Sequence, residues 1–265
     1  MPGAGVFRGW LMDALLAPDE LPAVEIREGR GPFVIVCEHA SNVLPTALGT
    51  LGLSPDHLER HIAWDPGAAA VAEGLAGLLG GDLVLQRYSR LAVDCNRAPG
   101  LAEAIPARSE DTEIPGNLDL GDAERAARLS SVWAPFHDAL ERLLDRRRVA
   151  GRPTILVTVH TFTPVFRGVA RPLHVGIIST GERTLADALL AALRRDVDLI
   201  VGDNEPYSPK DNVDYTIRRH GFDRGLPHAM IEIRNDLVVD EEGQKEWAAR
   251  LARELGALDL AAMAA

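Results

Sequence analysis

Two histidines in this sequence close apolar runs. His39 follows the run Phe33–Cys37 in Cys37-Glu38-His39-Ala40-Ser41-Asn42, and His160 follows Thr154–Val159 in Val159-His160-Thr161-Phe162. Ligands of open α/β sheets bind beyond the carboxyl ends of the strands, so both imidazoles stand where a site would form. One such histidine is explained equally well as a packed core residue. Two with the same placement point to a shared divalent cation, and a catalytic zinc centre takes three protein ligands and keeps one position open.

The third ligand is read as Asp65, in His61-Ile62-Ala63-Trp64-Asp65-Pro66-Gly67; the competing role for this residue is N-cap of the following helix. Glu38 and Asn42 are the other candidates. Glu38 adjoins His39 and points away from it as long as the strand continues, while an amide oxygen such as that of Asn42 is a poor zinc donor. Glu232 sits inside the apolar run Met230-Ile231-Glu232-Ile233, where an unpaired carboxylate is costly. Either it pairs with an arginine such as Arg234, or it faces a cavity and serves as the general base toward water. Asn96 and Arg97, in Asp94-Cys95-Asn96-Arg97, offer planar donors suited to a substrate carboxylate, and Arg90 is a further donor toward developing negative charge. The alternative is a structural Asp94–Arg97 pair. The two cysteines, Cys37 and Cys95, form no CxxC motif and read as small buried hydrophobes rather than nucleophiles.

These residues need strands to carry them. Short apolar runs at Phe33–Cys37, Leu83–Gln86, Leu91–Val93, Thr154–Val159, His174–Ile178, Leu199–Val201 and Ala229–Ile233 lack clean alternation, as expected of strands covered on both faces. Helical spacing marks Gly67–Leu79, with Gly80-Gly81 as its stop, then Asp122–Arg148 kinked at Pro135, Glu182–Arg195 and Glu241–Leu255. The order predicts one α/β domain over residues 1–265, with a mostly parallel or mixed sheet, helices on both faces and an irregular leader at 1–31. The long stretches 98–121 and 202–227 are read as loops that serve the site, the second carrying Asn204, Tyr207, Lys210 and Tyr215 as a closing segment.

The 265 residues are 46% hydrophobic and 25% charged, which excludes disorder as the main state. A formal charge of −11 repels phosphate backbones and anionic membranes, so neither nucleic acid nor membrane is expected as a partner. The opening segment is interrupted by Arg8 and Asp13 before a signal core forms, and a cytoplasmic location is expected.

Taken together, Glu38-His39-Ala40-Ser41, Asp65, Asp94-Cys95-Asn96-Arg97, His160, Asn204-Glu205-Pro206-Tyr207 and His228-Ala229-Met230-Ile231-Glu232-Ile233-Arg234 resemble the N-formylglutamate amidohydrolase family over residues 31–255. That resemblance implies a phosphorylase/hydrolase-like fold shared with zinc carboxypeptidases and aspartoacylases. It also implies metal-dependent hydrolysis of an N-formyl or other N-acyl amino acid, such as N-formylglutamate, to formate and the free amino acid. On that pattern one zinc per chain is held by His39, Asp65 and His160. Glu232 shuttles protons, Asn96 and Arg97 grip the substrate carboxylate, and Arg90 and Tyr207 complete the substrate pocket. The sequence departs from the carboxypeptidase His-x-x-Glu pattern at Asn42, and from the Pro-His-Ser-Gly form of glutamate-specific members at Glu38-His39-Ala40-Ser41. Competing expectations are a related metal hydrolase acting on another small acylated amine or peptide terminus, and a non-catalytic ligand-binding relative.

Overall fold

The computed structural model describes residues 15–211 and 214–258. Its strands are β1 (Val24–Arg27), β2 (Phe33–Cys37), β3 (Asp82–Gln86), β4 (Arg108–Ser109), β5 (Thr112–Glu113), β6 (Ile155–Phe162), β7 (Val165–Phe166), β8 (Val169–Ala170), β9 (Val175–Ile178), β10 (Val201–Asp203) and β11 (His228–Arg234). The α-helices are α1 (Pro55–Leu58), α2 (Ala68–Leu79), α3 (Asp122–Arg128), α4 (Ala134–Val149), α5 (Thr184–Leu193) and α6 (Glu241–Gly256). Seven strands form one mixed sheet in the order β1-β3-β2-β6-β11-β9-β10, while β4–β5 and β7–β8 are separate hairpins. The central strands β3, β2, β6 and β11 are parallel, and β1 and β9 run antiparallel to the neighbours β3 and β11.

Two apolar layers explain why the strands do not alternate. Phe33, Ile35 and Cys37 of β2 pack with residues of α2, α5 and α6, whereas Val34 and Val36 pack with Phe136, Leu140 and Leu144 of α4. With both faces covered, each parity of side chain has its own core. The expected stop of α2 is observed: Gly80 takes the left-handed conformation (φ 59°), which lets its N–H reach the last carbonyls of the helix without a Cβ penalty.

Three expectations are corrected. The leader is not irregular throughout, because Val24–Arg27 pairs antiparallel with β3 as an edge strand. Its outward Glu25 bonds Arg27 and Arg87, so the segment looks polar and short in sequence. The part of the leader before residue 15 lies outside the described residues. Leu91–Val93 is a buried turn rather than a strand: the Ser89 hydroxyl accepts from the Leu91 N–H (3.1 Å) and the Ser89 carbonyl from the Ala92 N–H (2.9 Å). Its apolar character reflects burial in a loop, which composition alone does not separate from a strand. The helical run 122–148 is broken by a π turn at Leu129–Trp133 rather than by a simple kink. Pro135 has no N–H and its ring crowds the carbonyl four residues back, a conflict that a widened turn relieves. A second π turn, Ile217–Gly221, lies in the long connection before β11.

This second turn carries His220, stacked on His137 of α4 with the rings 11° from parallel. His137 Nδ1 lies 3.0 Å from His220 Nε2, and His137 Nε2 meets the Cys95 carbonyl at 2.8 Å. Burial, which outweighs the pull of the Cys95 carbonyl and Glu38, pushes His137 down to about 4. Burial, then His137, Arg219 and Arg224, push His220 down to about 2. Both are therefore neutral in the fold and near 6.5 when unfolded, so the stability they add is complete above 6.5 and is lost as pH falls toward the folded values. His220→Phe is expected to take up one proton fewer on unfolding. The stability difference between wild type and variant should then shrink by ~1.4 kcal/mol per pH unit between about pH 6 and 4.5, as measured by urea titration. A pH-independent difference would disprove the neutral assignment.

Candidate active site

The C-terminal ends of β2, β6 and β11 converge on a cavity of about 270 Å³. Glu38 and His39 follow the last paired residue of β2 in a turn, and the strand constraint on them is gone. His160 lies inside β6, which runs two residues beyond it because Phe162 still pairs with Arg234. Glu232 is directly across from His160 in the parallel β11–β6 register.

Asp65 enters from the segment before α2. Its N–H donates to the His39 carbonyl (2.9 Å), which binds this segment to the end of β2. Two residues on, Gly67 has φ 82° and its Cα packs where a Cβ would meet the Val238 carbonyl at 2.5 Å, so the chain turns sharply here only with glycine. The helix cap is Gly67 and no side chain caps the helix, which removes the N-cap reading of Asp65. The carboxylate faces the histidines instead.

Asp65 Oδ2 is 3.2 Å from His39 Nδ1 and 2.9 Å from His160 Nδ1, and the two Nδ1 atoms are 3.1 Å apart. The other ring nitrogens face carboxylates: His39 Nε2 meets Asp94 Oδ1 at 2.8 Å and His160 Nε2 meets Glu38 Oε2 at 3.1 Å. An imidazole that donates from Nε2 carries its lone pair on Nδ1. With that tautomer on both rings, the two Nδ1 lone pairs and Asp65 Oδ2 face one another, an arrangement suited to a cation. The edges of this triangle approach the ~3.3 Å expected between ligands of a tetrahedral ion bound at ~2.0–2.1 Å. These three residues fit a metal: among the described residues they form a group whose ligand atoms all lie close enough together to hold one ion.

Electrostatics agree. Burial alone would lower His160, yet Glu38 and Asp65 raise it well above its ordinary value, so the site favours positive charge there. Burial would raise Asp65 and Asp94; the histidines His39 and His160 hold Asp65 low, and Arg90, His39 and Arg97 hold Asp94 well below the usual carboxylate range. Glu232 behaves oppositely. Burial, reinforced by the charge of Asp65 and only partly offset by His160, His39 and Arg90, pushes it up to about 7. Its Oε2 is buried without a hydrogen-bond partner, and the residue lines the cavity. Arg234 is committed to Asp236 (2.7 Å) and to nearby carbonyls, so the Glu232–Arg234 pair is not formed.

The remaining expected residues divide. Arg97 lines the cavity and donates to the Asn96 carbonyl (3.1 Å), with Asp94 at 4.0 Å. Trp133 Nε1 donates to the Arg97 carbonyl and fixes this loop. The Asn96 carboxamide is oriented by the Thr216 N–H, which donates to its Oδ1 (3.1 Å). Arg90 lines the cavity with its guanidinium engaged by Asp94 (2.7 Å) and Asp65 (3.4 Å). Tyr207 lines it too, its hydroxyl accepting from Arg171 (3.2 Å). Asn204 and Tyr215 do not reach the cavity: Asn204 accepts from the Ser179 N–H, and Tyr215 packs on Trp133 and His137. Asn42 donates to the Leu58 carbonyl and Glu59, away from the histidines, and Glu38 lies behind His160, so neither alternative ligand joins the triangle. Cys37 and Cys95 are wholly buried and burial pushes both thiols up, against thiolate chemistry.

Sequence reasoning missed His61, Arg108, Glu110 and Phe166 on the rim. The β4–β5 hairpin delivers Arg108 and Glu110, and Glu110 pairs with Arg60 and His61. For Arg108 and Glu110 the available signal was the length of the 98–121 connection.

The sheet, with a histidine–carboxylate set where its parallel strands end, defines a hydrolase-like α/β protein. The chain belongs to the N-formylglutamate amidohydrolase family, a family of hydrolases whose sequence profile matches residues 31–239. Among solved structures it is similar to a gene product of Agrobacterium tumefaciens, with 45% identity, TM-score 0.89 and coverage of 91% of this chain and 96% of that one. It also shares its fold with an N-formylglutamate amidohydrolase from Ralstonia eutropha JMP134, at 17% identity, TM-score 0.64 and coverage of 92% and 99%. No curated protein shows a significant match. No described helix is long and apolar enough to cross a membrane.

Proposed function

We propose that the protein hydrolyses the amide bond of an N-formyl or other N-acyl amino acid, using zinc held by His39, Asp65 and His160. The carrying observation is the convergence of three ligand atoms beside an unpartnered, proton-competent Glu232 in one cavity. When bound, the ion supplies Lewis acidity toward water and the scissile carbonyl. Glu232 accepts the proton of the attacking water and delivers it to the nitrogen as the C–N bond breaks and the new C–O bond is kept. Arg97 and Asn96 hold the α-carboxylate of the substrate, which fixes the carbonyl against the attacking oxygen. Arg90 keeps Asp65 and Asp94 in place, and Tyr207 bounds the substrate on the far side. The family match and the six motifs support this reading, and a small acylated amino acid fits the cavity volume.

The test is a screen of N-formyl and N-acetyl amino acids against the zinc-loaded protein, read as released primary amine. Turnover is expected to be much faster for N-acyl amino acids with a free α-carboxylate than for the corresponding amides. Arg97→Ala is expected to raise KM for the former by roughly 10 to 100-fold, the range lost with one charge-assisted contact, without affecting residual turnover of neutral compounds. Absence of turnover on every N-acyl amino acid would overturn the assignment, and an equal loss on both substrate types would make Arg97 structural.

A further inference from the structure

We propose that Glu38 is a positioning residue that sets the ring orientation and tautomer of His160 and thereby tunes the affinity of the site for its cation; this rests on the function proposed above. The inference begins with strand register. The β2–β6 pairing ends with Val36 opposite Thr158, and the turn that follows β2 brings Glu38 Oε2 to 3.1 Å from His160 Nε2, while β11 pairs Glu232 with the same histidine. His160 is thus flanked by two carboxylates with different surroundings: Glu232 lines the cavity, and Glu38, with no exposed surface, does not.

The chemistry follows from donor and acceptor inventory. An ionised carboxylate only accepts, and although the contact lies outside hydrogen-bond geometry, the negative charge of Glu38 Oε2 at 3.1 Å favours the tautomer with its ring proton on His160 Nε2. A neutral imidazole has one N–H, and Nδ1, which faces Asp65 Oδ2 and His39 Nδ1, is left with its lone pair. The wrong tautomer would aim an N–H at the cation. Glu38 is also a buried negative charge one ring away from that cation, which adds long-range attraction in a medium that screens little. Outer carboxylates of this kind commonly govern ligand basicity and orientation. Glu38 does not line the cavity and reaches the site through His160, which separates it from the proposed ligands and from Glu232.

The decisive variant is Glu38→Gln, which keeps the size of the side chain, removes its charge and lets an amide donate toward Nε2. Zinc affinity, measured by competition with a chromophoric chelator, is expected to weaken ~10 to 100-fold. The visible absorption of the Co²⁺-loaded variant should shift, while the thermal midpoint of the metal-free protein stays close to wild type. Glu38→Asp keeps the charge at shorter reach, and its affinity should fall between wild type and Glu38→Gln; it also serves if the glutamine variant does not fold. Wild-type affinity and an unshifted Co²⁺ spectrum in a folded Glu38 variant would overturn the positioning role and leave the proposed function standing. A wild-type protein that binds neither Zn²⁺ nor Co²⁺ would overturn both.

Discussion

Glu232→Gln is expected to lower kcat by ~10²-fold or more, about 2.7 kcal/mol or more of transition-state stabilisation, while the cation and substrate still bind. The amide fills the same volume across from His160 and cannot accept the proton of water. The pH profile provides a second reading. Glu232 must be ionised to act, and burial pushes it up to about 7, so kcat/KM for wild type is expected to fall as pH drops through or below that value. A bound cation pulls this limb to lower pH, since positive charge favours the carboxylate. The glutamine variant should lose the limb along with the rate. Near-normal turnover in it would remove Glu232 as the base.

The second large effect concerns Asp65. On the proposed function its carboxylate supplies a ligand oxygen; it also accepts from the Thr161 N–H (3.3 Å) and holds one end of Arg90 (3.4 Å). Asp65→Ala leaves two imidazole nitrogens 3.1 Å apart and a guanidinium without one of its counter-charges. The variant is expected to lose affinity for zinc by more than the ~10 to 100-fold attached to outer partners, and to lose hydrolysis at zinc concentrations that saturate wild type. Chelation of wild type should abolish turnover and added zinc should restore it. Equilibrium dialysis with metal analysis checks the first expectation, and amine release checks the second. Undiminished zinc binding by Asp65→Ala would dismiss this carboxylate as a ligand.

Much of this site was legible from local signals. His39, Glu232 and the Asn96-Arg97 pair each break the expected chemistry of an apolar run or its end, and buried polar residues in such places demand an explanation. Asp65 was legible as a candidate and could be separated from an N-cap only by seeing that Gly67 occupies the cap position. The roles of Glu38 and Asp94 behind the histidine rings depend on which way two imidazoles turn, a property of tertiary packing that spacing does not encode. Arg108 and Glu110 arrive on a four-residue ladder too short to leave a hydrophobic period. β1 was hidden for the same reason, and Leu91–Val93 misled in the opposite sense, since burial without sheet pairing carries the composition of a strand.

The placement of β11 has a consequence for biosynthesis. This strand is the last of the sheet in sequence and yet lies at its interior, between β6 and β9. A nascent chain that has not yet released residues 228–234 from the ribosome leaves β6 and β9 with open apolar edges, the kind that recruit foreign strands. Loop closure from residue 36 to 158 and then to 230 must precede the reward of pairing, so topology favours slow assembly. Completion of the sheet therefore waits on β11, and until that strand docks the edges of β6 and β9 stay open to other strands.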